Sequence, residues 1–271
     1  MKQLHTLSII FLILFILFLL IFPFYIIAKI SLSPPLEIFK THPSYFIKNV
    51  TWQHFTAVFQ SGKAFWGPLS KSFFVALGTT LLSLGITIPS AYAISRLDMR
   101  LRYGFVLILF VSRMLPEVSI ALPVSIHFIK MGLFDSSLGL ILAHSIKVLP
   151  VSCFILVGIF SHFPEDLVRQ AYVDGCSPWQ AFVRIVLPLS STGIVVAGLF
   201  SFLLSWDEFI YALYLTLTEP TMPLKMYYYV SRGNIFYSAT YAIIIMIPVL
   251  IISMGMQRYM KKEYLSGALE G

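Results

Sequence analysis

Long apolar runs alternate with short polar links along this chain. Six runs reach the roughly 20 residues that a helix needs to cross the hydrocarbon core of a bilayer. They cover about 7–28, 73–94, 104–124, 138–160, 190–214 and 239–257. The pattern predicts an all-α, polytopic membrane protein with six transmembrane helices. Pro89, Pro116, Pro123, Pro150 and Pro248 fall inside the runs. They read as kinks, because neighbouring helices and water can satisfy the carbonyl that a proline frees. The first run is longer than the apolar core of a signal peptide and no A-x-A site comes after it, so it reads as an uncleaved span.

One polar island stands out, PEDLVRQAYVDGCSPWQAFVRIVLP at 164–188. Pro164 suits a first helical turn, and Glu165 and Asp166 suit its positive end. Leu167, Val168, Ala171 and Tyr172 recur at helical spacing as one apolar face, with Arg169, Gln170 and Asp174 turned away. Gly175 follows the last turn, where a left-handed residue ends a helix at least cost. Ser177 and Pro178 restart the pattern as N-cap and first position. Trp179, Phe182, Val183 and Val186 then share a face, and Pro188 precedes the fifth run. The pattern is helix–glycine–helix along a membrane surface. It reads as a docking element or as an amphipathic connector without a partner.

Composition agrees with the membrane reading: 58% of the 271 residues are hydrophobic and 11% charged, against about 25% charged in soluble proteins. The net charge of +7 reads as basic flanks of membrane helices and not as a nucleic-acid footprint. The link SRLDMRLR carries Arg96, Arg100 and Arg102. Arg258, Lys261 and Lys262 come after the sixth run, and Lys2 precedes the first. The positive-inside rule puts these on the cytoplasmic side with the 161–188 loop, so both termini are cytoplasmic. The other face carries 30–70, a link near 126–137, and 215–238. Within 30–70 an extended stretch and then a short amphipathic helix are predicted. Cys153 and Cys176 fall in different environments and read as free thiols. The chain reads as a single transmembrane domain over 1–271.

The run A-x-x-D-G at Ala171, Asp174 and Gly175, followed by Phe182 and Pro188, resembles the cytoplasmic loop of ABC-importer permeases. The family pattern is E-A-A-x-x-D-G-A-x-x-x-x-x-F, closing with L-P. Here Arg169, Gln170 and Ala171 stand at its leading positions and Cys176 comes after the glycine. MGLFDSSLGLILAHS at 131–145, SWDEFIYALYLT at 205–216 and the tail QRYMKKEYLSGALEG are similar to the carbohydrate-importer branch, and within it to the maltose-type second permease. The likeness covers about residues 65–271.

The resemblance implies a six-span permease in the bacterial inner membrane whose coupling helix docks an ATPase. The docking positions are then Arg169, Gln170, Ala171, Asp174, Gly175, Phe182 and Pro188. It implies a second permease subunit as heterodimer partner, a cytoplasmic ATPase dimer, an extracytoplasmic solute-binding protein and surrounding lipid. No G-x-x-x-x-G-K-[ST] run occurs in the sequence, so ATP and Mg are expected on the ATPase and no cofactor on this chain. No H-E-x-x-H or G-x-S-x-G motif points to catalysis. His54, His127 and His144 read as interface or loop histidines.

Charges within spans are costly and usually face a bundle interior or water. Arg113 and Glu117 are spaced i,i+4 and read as a pair or as lining of the solute path. Lys147 calls for an acid on another helix. Trp206, Asp207, Glu208 and Tyr211 offer rings and carboxylates suited to a sugar, or to polar packing between helices. A sugar-like solute is the leading expectation. A polyamine, phosphate ester or amino acid is the alternative, and a membrane scaffold or enzyme the more distant one.

Overall fold

The computed structural model describes the backbone of residues 2–267 and the side chains of residue 6 and residues 8–257. Lys2, Arg258, Lys261, Lys262 and the tail 258–271 therefore lie outside the described side chains. All regular structure among the described residues is helical. The chain forms two compact units. One holds the chain up to Pro68 with Met222–Pro248; the other holds Leu69–Thr221 with the chain from Val249.

In the first unit, α1 (Lys2–Leu32) is the long apolar helix the pattern predicts. Its described side chains up to Phe24 are exposed, as a lipid-facing helix requires. A short α2 (Pro35–Ile38) and an irregular stretch lead to α3 (Gln53–Gln60), the expected amphipathic helix. His54 of α3 is buried, stacks on Phe236 at 4.9 Å and reaches the Ser33 carbonyl with Nε2 at 3.2 Å. Inside the expected outer link 215–238, α13 (Met222–Ser231) forms. Its Tyr229 packs on Tyr241 at 5.2 Å, and Tyr241 packs on Phe65 at 6.0 Å.

The second unit is built on α4 (Lys63–Ser95), which enters it at Leu69, and on α7 (Ser137–Ser161). The buried hydroxyls of Thr87 and Ser152 join these two helices at 3.0 Å. Against α7 pack α5 (Met99–Ser112), α6 (Glu117–Lys130), α11 (Ser191–Trp206) and α12 (Ile210–Leu215). Small residues set the closest approaches, as is usual between membrane helices. At Gly193, a Cβ atom would stand 2.6 Å from the Ile159 side chain. The last helix, α14 (Ile235–Gly267), carries Pro248 within it.

Four helices among the described residues are long and apolar enough to cross a membrane, and two bent pairs bring the count to six. One bent pair joins Pro178–Leu189 to Ser191–Trp206 at 75°; the other, and a separate break in span five, correct two expectations. Span three is not a kinked helix: α5 and α6 meet at 85° across Arg113–Pro116. Proline disfavours helical backbone in the residue before it, and Pro116 takes the N-cap position of α6. Span five does not run through to 214. It stops at Trp206, leaves Asp207–Phe209 non-helical, and resumes as α12.

Candidate functional site

The polar island folds as helix–glycine–helix. Helix α8 (Glu165–Val173) comes after Pro164 and ends before Gly175, whose φ of +87° lies in the region glycine occupies freely. The Cys176 N–H then returns to the Ala171 carbonyl at 2.9 Å. Ser177 caps α9 (Pro178–Ala181) with a reciprocal capping box. Its Oγ accepts from the Gln180 N–H, and its own N–H donates to Gln180 Oε1 at 2.9 Å. A π-helical turn, Phe182–Val186, leads to α10 (Leu187–Leu189), which holds Pro188.

Ala181, Phe182 and Val186 enter the core, whereas Trp179 and Val183 are exposed. The four-residue apolar face expected of the second helix is therefore divided, with Phe182 and Val186 covered and Trp179 and Val183 left outside. In α8 only Val168 and Ala171 are buried; Leu167 and Tyr172 are exposed. The face toward solvent is thus mixed. Arg169, Gln170 and Asp174 share it with Asp166 and Val173, around a shallow cavity of about 330 Å³. Val173 is 87% exposed.

The segment is fastened to the second unit from below. Phe182 packs on Tyr92 of α4 at 4.8 Å, and Phe160 closes the same core. Arg96 lies over the Tyr92 ring at 5.0 Å. It donates to the Phe160 carbonyl at 3.4 Å and to Glu165 Oε1 at 3.3 Å. Arg169 pairs with the other Glu165 oxygen at 3.3 Å. Arg169 thus takes part in a helical i,i+4 pair while remaining 73% exposed.

The second group of candidate residues divides into an accessible part and a sealed part. At the break between α5 and α6, Glu117 binds Arg113 at 3.5 Å and Lys147 of α7 at 3.1 Å. The pairing of Arg113 and Glu117 thus forms despite Pro116, and Lys147 finds its acid. These three side chains are partly exposed, and Asp207 is exposed.

Trp206, Glu208 and Tyr211 are instead fully buried in this chain. Glu208 accepts from the N–H groups of Tyr211 at 3.0 Å and Ala212 at 3.3 Å, satisfying two free donors at the start of α12. His144 of α7 is no loop histidine. Its Nδ1 lies 2.8 Å from Ser205 Oγ and its Nε2 lies 3.1 Å from Glu208 Oε2. The latter is a close approach and not a well-angled hydrogen bond. Its only sequence trace is a histidine in an apolar helix, near the end of a motif. Trp206 stacks on Phe202 at 5.8 Å. Phe182, Trp206 and Tyr211 are all buried within the chain.

A third constellation escaped the sequence reading. Asp135, between α6 and α7, has a positive φ of 55°. Its carboxylate accepts from the Leu217 N–H at 2.9 Å, the Thr218 N–H at 3.1 Å and the Thr218 hydroxyl at 2.5 Å. Lys71 lies 3.9 Å away. Burial pushes the carboxyl upward. The Thr218 hydroxyl, the two backbone N–H groups and the Lys71 ammonium outweigh it and hold Asp135 below the usual carboxylate range. Among the described residues no group of His, Cys, Asp and Glu is arranged to hold a metal ion.

Residues 82–265 match the model of the family described as "Binding-protein-dependent transport system inner membrane component". The trehalose transport system permease protein SugB of Mycobacterium tuberculosis is 31% identical over 82% of this chain and 83% of its own. The diacetylchitobiose uptake system permease protein DasC of Streptomyces coelicolor is 27% identical over 93% and 92%. A chain from the crystal structure of a bacterial ABC transporter involved in the import of the acidic polysaccharide alginate covers 95% of this chain and 97% of its own, with a TM-score of 0.78. At 17% identity it supports the fold alone. The six apolar segments, the helix–glycine–helix loop and these matches converge: the chain belongs to the binding-protein-dependent transport inner-membrane components, as a multi-pass permease subunit of an ABC importer.

Proposed function

We propose that this permease carries a sugar or sugar-like solute. It is one half of a heterodimeric pore served by an extracytoplasmic binding protein and by a cytoplasmic ATPase dimer that holds ATP and Mg. The observation that carries the ATPase contact is the mixed exposed face of α8, held at a fixed place by Gly175, Arg96 and the Phe182 core. A surface that presents Arg169, Gln170, Val173 and Asp174 around a hollow, on a segment packed firmly underneath, suits insertion into a partner's cleft. Both termini share its cytoplasmic side.

The sugar reading rests on relatives named for trehalose and diacetylchitobiose. In this chain the polar lining it needs is Arg113, Glu117, Lys147 and Asp207. Trp206, Glu208 and Tyr211 act behind it as scaffold. Paired charges of both signs offer donors and acceptors to hydroxyl groups without a strong net field.

The test is solute uptake by cells carrying the whole transporter, scanned over sugars, polyols, glycerol phosphates, polyamines and amino acids. Uptake of a sugar or polyol is expected, and it is lost in Gly175→Trp while ATP hydrolysis by the purified complex persists. A Cβ at Gly175 meets no atom within 4 Å, so the damage arises from backbone strain and from the docking face, not from internal crowding. Normal uptake by Gly175→Trp overturns the coupling role. Uptake confined to polyamines or amino acids overturns the sugar assignment.

A further inference from the structure

A second hollow of the unit lies between α5 and α7, apart from the docking face and from the polar cluster at the α5–α6 break. It encloses about 440 Å³. Its walls include Val106, Phe154 and Gly158, and Phe154 is about half exposed. Its polar rim is Arg102, Tyr103 and His162, together with Ser161. None of the residues lining it is acidic.

The rim groups still have bonding capacity. Arg102 gives one N–H to the Ser95 carbonyl at 3.2 Å, and a guanidinium has five. His162 donates its Nδ1–H to the Gly158 carbonyl at 2.8 Å, so Nε2 of the neutral ring is an acceptor and the donors left to an anion are those of Arg102 and Tyr103. Tyr103 is 64% exposed. The rim residues sit at the first turn of α5 and at the end of α7, where each helix meets a polar link. In a membrane-crossing bundle that is the depth of the lipid headgroups, and the apolar walls then run into the hydrocarbon.

We propose that this groove binds one anionic phospholipid, its phosphate held by Arg102 and Tyr103 and one acyl chain lying along Val106, Phe154 and Gly158. The argument is charge complementarity joined to depth. An arginine recognises a phosphate through several parallel donors. Basic pockets between membrane helices at the headgroup level select anionic lipid. The site depends on the membrane architecture only, and on neither the solute nor the ATPase contact.

The test uses the assembled transporter in detergent, titrated with phosphatidylglycerol and phosphatidylcholine of matched acyl chains and read by native mass spectrometry. The wild type is expected to retain one more phosphatidylglycerol than phosphatidylcholine per copy of this chain. Arg102→Gln should weaken phosphatidylglycerol retention about tenfold, the usual scale for one charged hydrogen bond, and leave phosphatidylcholine unchanged. Gly158→Leu should weaken retention by filling the groove. A Cβ there meets no protein atom within 4 Å, so the fold tolerates it. Equal retention of the two lipids by the wild type overturns the proposal, as does unchanged phosphatidylglycerol retention in both variants. A photocrosslinker at position 154 that captures the second permease chain instead of lipid overturns it as well.

Discussion

Glu165 and Glu208 each hold a base from another part of the second unit, one in water and one sealed from it. Glu165 is 60% exposed and shared between Arg96 and Arg169. Glu208 is fully buried, contacts His144, and caps α12 through two backbone N–H groups. An exposed pair gains little, because water screens it and two long side chains lose freedom. A buried pair has lost its hydration, so removal of one partner strands the other. The first arrangement leaves its side chains free to rearrange in water. The second suits a fixed joint, here the one that lets span five break at Asp207–Phe209 while its backbone donors stay satisfied.

The comparison can be broken most directly at the joint. Glu208→Ala should destabilise the protein by about 3–5 kcal/mol, since it leaves two buried N–H groups of α12 without their acceptor and removes the carboxylate beside His144. The readout is the thermal midpoint of the purified complex. A double replacement, His144→Leu with Glu208→Leu, should recover part of that loss, because neither polar side chain of the pair then remains buried. Equal damage in the single and double variants would mean that capping of α12, not the pair, dominates.

Asp135 lies between these extremes, with 18% of its side chain exposed. Asp135→Asn keeps a residue that tolerates positive φ yet removes the charge, and should cost about 1–2 kcal/mol at neutral pH. The sign of the pH dependence comes from its depressed pKa. Its contribution is present above the unfolded value of about 3.9 and is lost as pH falls through the lower folded value. Thermal melts of wild type and variant should therefore converge in strong acid. Melts that stay apart at every pH would assign the effect to shape alone.

The smallest effect is expected at the surface. Arg169→Ala should change stability by less than about 1 kcal/mol, and any loss should be in assembly with the ATPase, read by co-purification. A drop in thermal midpoint as large as that of Glu208→Ala would erase the distinction between the two glutamates.

Much of this contrast was legible before the fold. The Gly175 turn and the Ser177 cap arise from local backbone rules, which act over four or five residues. The number of apolar segments is set by bilayer thickness, which any crossing helix must meet. The exposed and buried sides of the helix–glycine–helix segment were read less well. Trp179 and Val183 stay exposed beside buried Phe182 and Val186, and helical spacing alone does not say which side a neighbour covers. The solute-path candidates were chosen for chemistry and not for position, and half of them, Trp206, Glu208 and Tyr211, are buried within this chain.

The sequence by itself determined that the chain crosses a membrane, that a glycine divides a polar loop, and that Lys147 needs an acid. Those are demands of solvation and local geometry, and they hold in whatever fold the chain adopts. Only the tertiary structure decided which acid Lys147 meets, that His144 pairs with Glu208, and that Asp135 binds Leu217 and Thr218. Each of these joins residues 30 to 83 positions apart. Such contacts depend on how helices pack side by side, and helical periodicity fixes a residue's face without fixing the neighbour it will meet.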